Sequence, residues 1–74
     1  MAVEDGLRAM LVRSQGNEIT EHHVYRRLSA LAKGERNREV LEDISREELE
    51  HYHFWKRYTG QEVRPDMWKV RRYL

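Results

Sequence analysis

The chain has 74 residues, and 36% of them are charged, but its 14 basic and 13 acidic side chains leave a formal net charge of only +1. This balance excludes a chain-wide positive field of the kind that attracts nucleic acid or an anionic membrane. The chain has no cysteine, and a domain this small buries only about 60% of its unfolded surface, so we expect extra stability from a metal, tight helix packing or oligomerisation.

The first predicted element is a long amphipathic helix from about Val3 to Ala32. Nine residues recur at spacings of three and four, the period of one helix face: Leu7, Met10, Leu11, Ser14, Glu18, Glu21, Tyr25, Leu28 and Ala32. Gly16 costs about 1 kcal/mol inside this helix without necessarily breaking it. We expect Gly34, directly after Lys33, to mark the C-terminal end.

The second predicted element is a helix from about Arg36 to Thr59, followed by Gly60 in a left-handed C-terminal position. Its stripe consists of Val40, Leu41, Ile44, Glu48, His51, Phe54, Trp55 and Tyr58. We expect the three aromatic residues to contribute to the core and to the seam of a dimer. The short loop between the two helices predicts an antiparallel hairpin.

A short third helix is predicted from Pro65 to Leu74, with Pro65 in its first turn. The closing segment "MWKVRRYL" mixes apolar and basic residues without a polar tail, which is typical of a domain cut from a longer protein. No stretch approaches the roughly 18 apolar residues that span a bilayer, and no apolar signal region stands at the start. We therefore expect a water-soluble chain, located in the cytoplasm.

These elements predict an all-α fold. Residues 1–60 form the hairpin, and residues 61–74 carry the short C-terminal helix. A hairpin of two amphipathic helices covers only part of each apolar stripe, so we expect two copies to pair into a four-helix bundle. A homodimer or a higher homo-oligomer is the predicted assembly. Nucleic acid is not an expected partner, because the arginines Arg26, Arg27, Arg36 and Arg38 form no continuous basic stripe with interleaved aromatics.

Three ionisable residues occupy positions in the stripes where apolar residues are expected. Glu18 lies between Leu11 and Tyr25 at heptad spacing, and Glu48 and His51 lie between Ile44 and Trp55. A buried carboxylate is normally neutralised, paired or bound to a metal. A two-fold dimer would bring together four carboxylates and two imidazoles, the ligand set of di-iron carboxylate bundles. Such ligands suit iron, and manganese accepts the same set.

Other side chains near these three have less specific roles. Glu21, one turn beyond Glu18, is an alternative ligand or a hydrogen-bond acceptor behind the ligands. Tyr25 is a core aromatic whose hydroxyl could instead bond a metal-bound carboxylate. We expect Glu47, Glu50, His22, His23 and His53 at the surface. Taken alone, Glu-x-x-His is more often a solvated pair than a ligand set. The competing interpretation is a purely structural helical dimer in which the polar residues fix the register of the helices.

The segments "NEITEHHVYRRLSALA" and "NREVLEDISREELEHYHFWKRYTG" resemble the ferritin-like, rubrerythrin-type half-bundle. They are most similar to the N-terminal ferritin-like domain of vacuolar-iron-transporter-type membrane proteins, and "RPDMWKVRRYL" is similar to the segment that leads into the first membrane helix there. The resemblance implies that Glu18, Glu48 and His51 are iron ligands, and that two irons are shared between two chains. Only one Glu-x-x-His half is present, so a second copy must complete the site.

The implied function is iron oxidation or capture of the ferroxidase type, linked to iron transport or storage. A non-catalytic module that senses iron or delivers it is the alternative, because the ligand residues are the same in both cases. The resemblance also implies that the domain is tethered to a transporter domain on the cytoplasmic face of a membrane.

Overall fold

A computed structural model describes residues 4–73 and contains three α-helices. They are α1 (Asp5–Leu31), α2 (Glu35–Thr59) and α3 (Met67–Arg71). The first two pack against each other along their lengths, and α3 packs against α1. The predicted all-α fold with a long hairpin and a short third helix is confirmed for these residues. Val3 and Leu74, at the ends of two predicted helices, lie outside the described range.

The hairpin turn differs from the prediction at its glycine. Helix α1 begins after Glu4, whose carboxylate accepts a hydrogen bond from the Leu7 amide at 2.6 Å, and it ends at Leu31, followed by extended Ala32. Gly34 therefore does not terminate α1. It directly precedes α2 with a φ of 89°, a conformation that a side chain disfavours, so its role is to turn the chain into the second helix.

The segment after α2 explains where the third helix begins. Gly60 ends α2 with a φ of 66°, which confirms the predicted left-handed position. The prediction of Pro65 in the first turn of the third helix is wrong. Asp66 is the N-cap, because its carboxylate accepts hydrogen bonds from the amides of Trp68 and Lys69 at 3.1 and 3.3 Å. Helix α3 has only five residues, so its stability depends on its contact with α1.

Polar side chains form much of the interface between α1 and α2. Ser45 is buried and donates a hydrogen bond to the backbone oxygen of His22 at 2.9 Å, while the His22 Nδ1 lies 2.7 Å from the Ser45 backbone oxygen. The prediction that His22 is a surface histidine is therefore wrong: it faces α2 and links the two helices. His23 is half-buried, whereas His53 is exposed as predicted.

The loop 60–66 is fastened to both long helices by buried polar groups. Gln15 is fully buried, donates to the Gln61 backbone oxygen at 3.0 Å and accepts a hydrogen bond from Thr59. The Tyr52 hydroxyl accepts from the Val63 amide at 2.9 Å, and Thr20 accepts from the Asp66 amide at the same distance. These bonds satisfy backbone groups that a loop would otherwise expose.

The resulting molecule measures 46 × 22 × 14 Å, so it is only one layer of helices thick. The buried hydrophobic residues of the described range are Ile19, Val24, Tyr52 and Val70. None of the helices within residues 4–73 combines the length and apolar character needed to cross a lipid bilayer.

Candidate metal centre

The two predicted stripes lie side by side on one surface of the hairpin, beside the face where α1 and α2 meet. We call this surface the open face. Its members on both helices are Leu7, Met10, Glu18, Glu21, Val40, Glu48, His51, Phe54 and Tyr58. Met10 is 63% exposed, and Phe54 and Tyr58 are each 45% exposed. The aromatic residues expected in a core are thus only partly covered within one chain.

Glu18 occupies the centre of α1, with thirteen residues of the helix on either side. Its Oε1 accepts a hydrogen bond from the Trp55 indole nitrogen at 3.4 Å, while its Oε2 is buried without a hydrogen-bond partner. Burial raises the pKa of this carboxyl, the negative charge of Glu21 adds to the increase, and Trp55 and His51 oppose it. A buried carboxylate oxygen without a donor is costly, so this atom requires an explanation.

Glu48 faces Glu18 and Glu21 from the middle of α2. Its side chain is 16% exposed, and its Oε1 lies 3.6 Å from the Nδ1 of His51. Burial, a hydrogen bond with Glu21 and the charges of Glu21 and Glu18 raise the pKa of Glu48 to about 7, while the positive charge of His51 opposes the increase. One proton is therefore easily held among these carboxyl groups near neutral pH.

His51 is the most accessible member of the group, with a side chain 57% exposed. It lies one turn after Glu48 on the open face and points out of the hairpin rather than into it. A histidine at this position is available to a ligand or to a second chain that approaches the open face.

The structure therefore brings together four of the residues singled out from the sequence: Glu18, Glu21, Glu48 and His51. We call them the acidic cluster. Tyr25 lies two turns beyond Glu18 and is half-buried, so its predicted contact with a ligand carboxylate stays a prediction. Glu47 and Glu50 are exposed, as expected.

The hydrogen bond from Trp55 to Glu18 was not anticipated from the sequence. The stripe pattern predicts only a packing role for Trp55, although its position seven residues after Glu48 repeats the heptad and places both on one side of α2. Its ring also packs edge-on against Phe54 at 5.0 Å between centroids. The sequence does contain a signal for this hydrogen bond, because an indole N–H on a stripe that also contains carboxylates is a donor beside acceptors.

Within residues 4–73 of a single chain, no three or more His, Cys, Asp or Glu side chains form a group arranged to hold a metal ion. No protein-family model matches the chain, and searches of curated proteins and of solved structures also found no match. The ferritin-like resemblance consequently stays a prediction from the residues themselves.

Proposed function

We propose that two copies of this chain bind a pair of iron ions between their open faces and that the site oxidises or captures Fe(II). This is the function of a ferritin-like domain of the ferroxidase type, linked to iron transport or storage. The observation that carries the proposal is the Glu18 Oε2 atom, buried without a hydrogen-bond partner beside the carboxyl group of Glu48. A cation is the natural partner for two carboxylates held in this way.

The residues of the chain have separate roles in this proposal. Glu18 and Glu48 provide the oxygen ligands, and the exposed imidazole of His51 completes the set for each ion. Trp55 orients Glu18 through its indole N–H, and Glu21 adds a further negative charge beside Glu48. Two bound Fe(II) ions supply two electrons, which together with two protons reduce one dioxygen to hydrogen peroxide. Manganese is an alternative occupant of the same ligands.

The position of α3 supports this assignment of the open face. Thr20 accepts a hydrogen bond from the Asp66 amide and Gly16 lies beside Val63, and both are on the side of α1 that faces away from Tyr25. Among the described residues, the segment 60–73 therefore leaves the open face free for a second copy. In the same proposal the domain works in the cytoplasm, and residues 61–74 lead toward a membrane transporter domain.

Iron titration tests the proposal directly. Anaerobic loading with Fe(II) followed by air should give a ferric absorbance rise that continues beyond the bound stoichiometry. A single stoichiometric event would instead indicate a module that senses or delivers iron. The paired substitution Glu48→Ala with His51→Ala should abolish iron binding in equilibrium dialysis, whereas Glu47→Ala with Glu50→Ala, which removes exposed carboxylates from the same helix, should preserve it.

A purely structural helical dimer is the second candidate function. The contact that favours it is the hydrogen bond from Trp55 to Glu18, because it satisfies part of the cluster without any metal. Unaltered iron binding by the Glu48 and His51 double variant, with helicity preserved by circular dichroism, would support this candidate and refute the metal site. Mass in solution, measured on the same samples, decides whether either variant still forms dimers.

A further inference from the structure

A second buried polar atom without a partner lies in a groove between α1 and α3. The Nη1 atom of Arg27 is buried, and it has no hydrogen-bond partner within the described residues. The groove has a volume of about 350 Å³, with His23, Arg26 and Arg27 on its α1 wall and Met67 and Val70 on its α3 wall. We call it the basic groove. A buried cationic nitrogen is normally paired, so an anionic partner is expected at this atom.

We propose that the basic groove binds the phosphate group of a phosphate monoester whose organic part is apolar. This site is separate from the acidic cluster. Arg27 follows Glu18 by nine residues, so at about 100° per residue it lies on the opposite side of α1. Phosphate binding in the basic groove therefore does not depend on metal binding at the open face.

The spacing of the basic side chains fits a phosphate group. His23 precedes Arg26 by three positions and Arg27 by four, so the three side chains share the face of α1 that lines the groove. Guanidinium groups bind phosphate oxygens through paired N–H donors. Three donor side chains match the several oxygen atoms of a phosphate better than the two oxygen atoms of a carboxylate.

The positive charge of the groove has no counter-charge among the described residues. Neither Arg26 nor Arg27 forms an ion pair within residues 4–73, and the part of the lining that belongs to this range contains no acidic residue. The neighbouring segment 64–73 contains one acidic residue, Asp66, whose carboxylate caps α3. The basic residues of this segment are Arg64, Lys69, Arg71 and Arg72. This local excess attracts an anion although the net charge of the whole chain is close to zero.

The remaining lining favours a phosphate that carries an apolar group. Leu31 and Met67 line the groove and are exposed apolar side chains. Inorganic phosphate would leave these side chains in water, whereas an apolar organic group would cover them. Sites for small ligands commonly combine such apolar walls with a few polar groups that fix the orientation of the ligand.

Isothermal titration calorimetry of the metal-free protein tests the site with inorganic phosphate and phenyl phosphate as probes. Phenyl phosphate should bind more tightly, because its ring covers the apolar wall. Arg27→Gln should weaken its binding about tenfold or more, because a hydrogen bond to a charged group is lost. The matched control Arg57→Gln makes the same change at an exposed position near the end of α2 and should preserve binding. Arg26→Gln alters an exposed member of the groove and should also weaken binding, so it tests the site even if circular dichroism shows that Arg27→Gln does not fold.

The phosphate monoester can be a soluble molecule or the headgroup of a membrane lipid, and sedimentation with vesicles distinguishes the two sources. Binding to phosphatidylcholine vesicles that requires phosphatidic acid, and is lost in Arg26→Gln and Arg27→Gln, would identify the lipid. Binding of phenyl phosphate without vesicle binding would identify a soluble ester. The site would be refuted if wild type bound neither phosphate probe, or if both arginine variants bound phenyl phosphate as tightly as wild type.

Discussion

The raised pKa of Glu48 predicts how the stability of the metal-free protein depends on pH. A carboxyl group whose pKa increases on folding binds its proton more tightly in the folded state. Between pH 4.5 and about 7 the folded chain therefore holds more protons than the unfolded chain, and the free energy of unfolding decreases as the pH rises. An increase from 4.5 to about 7 corresponds to about 3 kcal/mol, at about 1.4 kcal/mol for each pH unit.

The substitution Glu48→Gln removes this ionisation and preserves the shape of the side chain. In urea denaturation at fixed protein concentration with a chelator present, the variant should gain up to about 3 kcal/mol relative to wild type between pH 4.5 and pH 7.5. The control Glu47→Gln changes an exposed neighbour and should follow the wild-type pH profile. If wild type and Glu48→Gln gave parallel profiles, the electrostatic account of the acidic cluster would be incorrect.

Two further predictions concern the loop and the helix ends. Gln15→Ala should lower the free energy of unfolding by about 2–4 kcal/mol, because it leaves a cavity and removes a buried partner of Thr59. The control Asn17→Ala, at an exposed site, should change the free energy of unfolding by less than about 0.5 kcal/mol. Urea denaturation measures both variants. Gly60→Ala should cost about 1–2 kcal/mol from its left-handed backbone alone, since nothing lies within 4 Å of the added Cβ. Gly16→Ala, whose Cβ would lie 3.5 Å from Val63, should instead stabilise α1 by about 0.5–1 kcal/mol. Equal shifts of the melting temperature for Gly60→Ala and Gly16→Ala would contradict this contrast.

The sequence predicted the helices and the acidic cluster because both follow from periodicity. Residues at spacings of three and four must share a face, so Glu18, Glu48 and His51 could be assigned to one surface without coordinates. The sequence could not identify the contact between α1 and α2 in the same way. That contact uses Gln15, Ser45 and other polar groups, which a hydrophobic pattern assigns to solvent.

The errors at His22 and Pro65 have the same origin. His22 is one of two adjacent histidines with no apolar periodicity of its own, and only its pairing with Ser45 on the other helix explains its position. Pro65 is a good first-turn residue in general, but Asp66, whose amide is bonded to Thr20, is the N-cap, so α3 begins two residues later, at Met67. Both outcomes depend on contacts between residues more than twenty positions apart, which local patterns do not contain.

The distribution of apolar surface leads to a final prediction about the source of stability. The hairpin interface is largely polar and the molecule is one helix layer thick, while Met10, Phe54 and Tyr58 remain exposed on the open face. Burial of that face by a second copy should supply much of the free energy of folding.

The stability of the protein should then depend on its concentration. For a dimer that unfolds to monomers, a hundredfold dilution should reduce the free energy of unfolding by about 2.7 kcal/mol. Urea denaturation at two concentrations measures this effect. The variant Phe54→Glu, which places a charge on the open face and leaves the buried contacts of Gln15 and Ser45 in place, should be less stable and insensitive to dilution. A wild-type midpoint that did not change with dilution would show that the single hairpin is stable alone, and the open face would then need another explanation.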